Sequence, residues 1–183
     1  MLDATPAGER VYRPLGFEGI FKMSRWQGET GRRVKPVTEI RMMAAEDIPT
    51  VTAVDAAAFG GNRMFLVESL FRRLPQLAFV TQEITGFVLA RPGRIATQIG
   101  PIVGANEDAA AALLDAALGR ISGPVFLDLI DGRDTLKRHL WHHGFSVQRS
   151  FLRMGLNCSV PLGDPTQLFV VAGPEFGRQL QHR

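Results

Sequence analysis

The side chains best suited by type and spacing to chemistry are one acid and one pair of histidines. Asp128 interrupts the run Val125-Phe126-Leu127-Asp128-Leu129-Ile130, which is otherwise wholly apolar. Burial disfavours the charged form of a carboxyl, and an acid so placed can take the proton of an amine as a general base. The alternative is structural: a buried acid bonded to nearby backbone or to Arg153. His139 and His143 are four residues apart, which puts both imidazoles on one face of a helix, as a metal pair requires. No third ligand is evident in the sequence. With His142 and Arg138, the two suit an exposed helix C-terminus, where positive charge complements the dipole. No metal is expected. Cys158, the only cysteine, has no motif around it, and Ser-His-Asp, phosphate-loop and dinucleotide signatures are absent.

Composition narrows the classes of function. The chain has 183 residues, 45% of them hydrophobic, which suits one domain with a sizeable core and leaves room for a fragment of a second. No apolar run approaches the roughly 20 residues of a membrane helix, so no membrane partner is expected. The N-terminal residues carry no basic patch followed by an apolar stretch, which argues against a secretory signal. A single cysteine allows no internal disulfide, as fits a reducing cytoplasm. The net charge is only +3. The densest basic cluster, Arg32, Arg33 and Lys35, stands beside Pro36 in a stretch that reads as a solvated linker. A nucleic-acid binder would show a stronger basic stripe, so no nucleic-acid partner is expected.

These residues need elements to position them. Residues 27–37 are polar, hold Gly28, Gly31 and Pro36, and lack periodicity, so they read as a linker. After it, Thr38–Met43 reads as a strand and Glu46–Phe59 as a helix with apolar residues at helical spacing. Gly60-Gly61 ends that helix, and Asn62 can cap the next, which Pro75 stops. Leu77–Gln82, Ile84–Arg91 and Arg94–Val103 read as strands, the last two joined by a Pro92-Gly93 turn. Asn106-Glu107-Asp108 opens a helix running to Leu118. Val125–Ile130 reads as a central strand covered on both faces. Asp131 is expected to cap another helix, which ends at Gly144, and Phe145–Leu156 and Gln167–Ala172 supply the last strands. This order predicts an α+β domain with a mostly antiparallel sheet, the fourth and fifth strands being parallel because a helix joins them.

The N-terminal piece echoes the C-terminal part. Residues 2–26 read as the end of a strand, a helix, Gly16-Phe17 and an alternating strand. Residues 127–154 read in the same order through Gly144-Phe145. The two copies stand about one domain length apart, as expected for the tail of one module followed by a complete second one.

Tyr12-Arg13-Pro14-Leu15-Gly16-Phe17 resembles the Tyr-x-x-Leu-Gly-Phe motif that ends the last helix of GNAT acetyltransferase domains. The element order of residues 38–172 is similar to that of a whole GNAT domain. Asp55, Phe59-Gly60, Arg63, Gly86-Phe87-Val88, Ile99-Gly100-Pro101-Ile102-Val103, the Gly144-Phe145 to Arg153-Met154 run and Ala172-Gly173-Pro174-Glu175-Phe176-Gly177 resemble the C-terminal half of tandem GNAT proteins. The resemblance implies a C-terminal fragment of a first module at 1–26, the linker at 27–37, a complete divergent GNAT-like domain at 38–177 and a tail at 178–183.

For function, the resemblance implies transfer of an acetyl group from acetyl-CoA, the co-substrate, to a primary amine of a small-molecule acceptor by direct attack, with Asp128 or water as base. The family holds the pantetheine arm where the fourth and fifth strands splay, against the backbone of the fourth, and the pyrophosphate at the next helix N-terminus. This assigns Ile102, Val103, Gly104, Ala105 and Asn106 to the cofactor. The loop departs from the family pattern: it has one glycine, lacks the basic residue, and is followed by Glu107 and Asp108, whose charge competes with a phosphate. Tyr12 matches the family's general acid toward the leaving thiolate, whereas the equivalent position in the complete module is Leu140. Arg63 is assigned a structural role. The rival expectation is a non-catalytic accessory or ligand-binding module, or a truncated remnant, with a degenerate acetyl-CoA site. Ile20, Phe21 and Trp26, left without a full first module, would form an exposed patch able to drive homodimerisation.

Overall fold

Alternating and helical patterns resolve into one mixed sheet with helices on both faces. The computed structural model describes residues 1–30 and 39–173. In chain order its strands and α-helices are β1 (Leu2–Ala4), α1 (Pro6–Tyr12), β2 (Phe17–Thr30), β3 (Ile40–Met42), α2 (Ile48–Phe59), α3 (Met64–Arg73), β4 (Phe79–Thr81), β5 (Phe87–Pro92), β6 (Thr97–Val103), α4 (Glu107–Leu118), β7 (Gly123–Ile130), α5 (Asp134–His142), β8 (Ser146–Leu156) and β9 (Leu168–Val171). The strand order across the sheet is β1-β8-β2-β7-β9-β6-β5-β4-β3. Only β6 and β7 pair in parallel, as the helix between them requires. The α+β class and the mostly antiparallel sheet are those expected.

The N-terminal piece corrects the expected boundaries. β2 lies between β7 and β8 and runs four residues past the expected boundary, with Gln27 to Thr30 paired to Phe126 to Gly123. Gln27 to Thr30 are therefore sheet and not linker. Their polar side chains hid this, because the ladder is made by backbone. The rest of the linker, 31–37, and the residues 174–183 that include the expected tail lie outside the described residues. The N-terminal piece is built into the sheet that the following module forms. β1 extends the sheet on β8, where Arg153 forks onto Asp3 at 2.7 and 2.8 Å.

This placement removes the reason for expecting an exposed apolar patch. Trp26 is 1% exposed and meets Trp141 of α5 edge-on, with ring centroids 5.6 Å apart. Ile20 and Phe21 are half-buried. Sheet alternation divides the core in two. On one face, Trp26, Leu127 and Leu129 pack against Leu113 and Leu114 of α4 and Leu136 and Leu140 of α5. On the other, Met23, Phe87, Leu89 and Val171 pack against Val51 of α2 and Val67 and Leu70 of α3.

Two helix starts show local chemistry at work. Asp131 does not cap α5; it accepts a hydrogen bond from Ser24 Oγ at 3.0 Å, and α5 begins three residues later. Ahead of α2, Asp47 accepts from the Arg41 guanidinium at 2.7 and 3.0 Å and from the Ala44 amide at 2.8 Å. Arg41 holds the Asp47 carboxyl below the ordinary carboxylate range, and burial only partly offsets it. A depressed acid stabilises the fold above its unfolded value and loses that contribution as the pH falls. Asp47→Asn is therefore expected to lower stability by about 1 kcal/mol at neutral pH. Urea unfolding at about pH 7 and about pH 3 should show the gap from wild type closing in acid.

Candidate functional site

The parallel pair β6 and β7 stays in register from Thr97 opposite Val125 to Ile99 opposite Leu127. Beyond that point the strands separate, as expected for the cofactor wedge. The wedge is filled. β9 enters it antiparallel to both strands, placing Val170 beside Ile102 on one side and beside Leu129 on the other, with Val171 opposite Asp128. Gly100 makes room for it. Its φ is +139°, a conformation that side chains rarely adopt, and a Cβ there would collide with the Val171 carbonyl. Arg133, just before α5, holds the approach to β9. Its guanidinium donates to the carbonyls of Pro165 and Leu168 and lies 4.6 Å over the Phe169 ring.

Four of the five residues assigned to a cofactor take up other partners. Ile102 and Val103 are fully buried and paired with β9, and the Gly104 amide donates to the Gln167 carbonyl at 3.0 Å. The strand pairing that the resemblance gives to a pantetheine arm is made here by the chain itself. Ala105 is exposed. Asn106 caps α4 by accepting from the Ala109 amide at 2.9 Å. Glu107 accepts from the Leu136 amide at 3.0 Å, so it caps α5 and couples the two helix starts.

Asp128 is fully buried, as its surroundings in the sequence suggested, but its partner is neither backbone nor Arg153. Arg25 of β2, directly opposite in register, forks onto it at 2.7 and 2.8 Å, and Gln98 Nε2 donates to it at 3.3 Å. Both carboxylate oxygens already accept hydrogen bonds. The side chain is also closed to solvent, and the geometry supports a role for Asp128 as an anchor between β2 and β7. Arg63 likewise forks onto buried Asp55 at 2.8 and 2.5 Å and stacks on Phe59, joining α2 to α3 as the structural assignment expects. Tyr12 is not brought to Asp128. It sits on α1, against the β1–β8 side of the sheet, with its ring 5.6 Å from that of Phe17.

One cleft was not anticipated. Arg25, Arg91, Arg94, Gln98, Phe126 and Arg149 line a space of about 290 Å³ where the sheet face is left uncovered. Four arginines, of which Arg25 is already paired with Asp128, give the cleft a basic lining that suits a carboxylate or phosphate. They come from β2, β5, the β5–β6 turn and β8, so nothing in their sequence spacing links them. Arg25 joins this cleft to the buried pair beneath it.

That pair gives a test. Asp128→Asn leaves a guanidinium that is 9% exposed without its counter-ion, which costs about 3–5 kcal/mol. Replacing both partners, as Arg25→Met with Asp128→Leu, should cost much less than the single change. Chemical denaturation of the two variants and the wild type measures the difference.

A family model described as an acetyltransferase (GNAT) domain matches residues 51–170, from α2 to β9. An uncharacterised N-acetyltransferase of Bacillus subtilis (strain 168), YitH, is 24% identical over 152 residues, covering 79% of this chain and 53% of the relative. A solved structure from Pyrococcus horikoshii, described as a candidate acetyltransferase, superposes with a TM-score of 0.72 at 22% identity, over 93% of this chain and 57% of that one. A GCN5-related N-acetyltransferase from Sphaerobacter thermophilus gives 0.59 at 17% identity, over 82% and 58%. The two structures share the fold, and this chain spans a little over half the length of all three relatives.

Proposed function

Because this chain belongs to the GNAT acetyltransferase family, we propose that it works in transfer of an acetyl group from acetyl-CoA to a primary amine, and that its 38–177 module is the accessory half of that machinery. One observation carries the reading: β9 occupies the wedge in which the family holds pantetheine, and it satisfies both strands that border it. The α4 terminus agrees. One of its orphan amides, that of Ala109, is met by Asn106, and Glu107 brings negative charge to the place of a pyrophosphate.

The tandem arrangement is part of the same proposal. The order β1, α1, Gly16-Phe17, β2 repeats as β7, α5, Gly144-Phe145, β8. Both glycines take left-handed φ, +84° and +79°, and β2 and β8 lie side by side. Two similar units packed against each other support residues 1–30 as the closing part of a first GNAT module. The donor site belongs to that first module, and Tyr12 would serve as its general acid. The acceptor is a small-molecule amine.

Calorimetric titration of this chain with acetyl-CoA tests the accessory role. The expected result is no binding tighter than a Kd of ~1 mM, or about 4 kcal/mol. Stoichiometric binding at micromolar levels would overturn it and return the donor site to the β6–β7 wedge.

A further inference from the structure

The histidine pair of α5 acquires a third ligand from the fold. Asp115, on α4, lies against it: His139 Nε2 is 2.7 Å and His143 Nε2 3.2 Å from the same oxygen, Asp115 Oδ1. One ligand atom from each residue falls within 4.8 Å of the others. The two rings meet edge-on with centroids 4.7 Å apart. The three side chains are 15–27% exposed, so they are packed in place yet open to water.

We propose that Asp115, His139 and His143 form a binding site for a zinc-like divalent cation. Two imidazoles and one carboxylate are a borderline donor set that suits zinc. Calcium and magnesium need more oxygen ligands than one carboxylate supplies. Around zinc, donor atoms at ~2.1 Å stand roughly 3.4 Å apart in a tetrahedron, so the two Asp115–histidine distances need to open by less than about 1 Å to admit the ion. The open side leaves the fourth position to water. Both Nε2 atoms converge on one oxygen. Without a metal, each must carry a hydrogen on Nε2 to bond it; with a metal, that hydrogen moves to Nδ1, or to water where Nδ1 already carries one, and the Nε2 lone pair turns to the ion.

The site lies away from the arginine-lined cleft. α4 and α5 cover the sheet face of Leu127 and Leu129, whereas Phe126 and Asp128 point to the other face. Its role is therefore that of a clip. α4 follows β6 and α5 follows β7, so an ion joining the helices also fixes the two strands that border the filled wedge.

The test is calorimetric titration of tag-free, metal-stripped protein with zinc alone, on wild type and on His139→Gln and Asp115→Asn. One ion per chain with a Kd below ~10 µM is expected, weakened by more than about tenfold in each variant. The melting temperature of wild type should rise with zinc and return with a chelator, while the variants stay unmoved. Weaker binding to wild type, or binding retained in both variants, would overturn the proposal. Since the three side chains are part-exposed, far-ultraviolet circular dichroism of each variant confirms that a lost signal reflects a lost ligand and not a lost fold.

Discussion

Two parallel strands that separate leave rows of backbone amides and carbonyls facing each other across a gap too wide to bond. Buried groups of this kind must find partners. β6 and β7 face that requirement after Ile99 and Leu127, and much of the remaining design answers it. Gly100 yields the space, β9 supplies the backbone, Arg133 secures the chain that leads into β9, and Gln167 takes the amide of Gly104. Anything placed in the wedge must match the same amides and carbonyls. β9 and any extended ligand would be alternatives for one position.

Buried arginine–aspartate forks recur where parts of the chain from different regions join. Arg25 with Asp128 fixes β2 against β7, Arg153 with Asp3 fixes β1 against β8, and Arg63 with Asp55 fixes α2 to α3. Such pairs lose hydration on burial and recover it only through good geometry. Asp3 shows how close that balance is. Burial pushes its carboxyl upward, and the Arg153 guanidinium does not fully reverse it. The forks define register and partner more than they add net stability, since a strand slipped by one residue would bury either charge alone.

Features set by nearby residues were legible in the sequence. The stop of α3 before Pro75, the turn at Pro92-Gly93, the helix start at Asn106-Glu107-Asp108 and the continuous apolar run of β7 each depend on neighbours within a few positions. Features set by pairing across the fold were not. Gln27 to Thr30 look like linker because a strand can be held by its backbone alone. Arg25 could not be matched to Asp128, because a register between residues 103 positions apart leaves no local trace. Leu168–Val171 reads plainly as a strand, but nothing in those residues says that its neighbours are the two sides of a wedge. Asp115 sits unremarked in a helix rich in alanine and leucine, and only the packing of α4 on α5 brings it to the histidines.

The insertion of β2 between β7 and β8 bears on the order in which the molecule can assemble. β2 is synthesised before both of its partners, which lie beyond residue 122. Its buried side chains, Met23 and Trp26, lack their strand neighbours until β7 and β8 have been made. Contacts this distant in sequence slow folding, and apolar segments that wait for them invite wrong partners. An interior strand of the finished sheet is thus made well before the two strands that seat it.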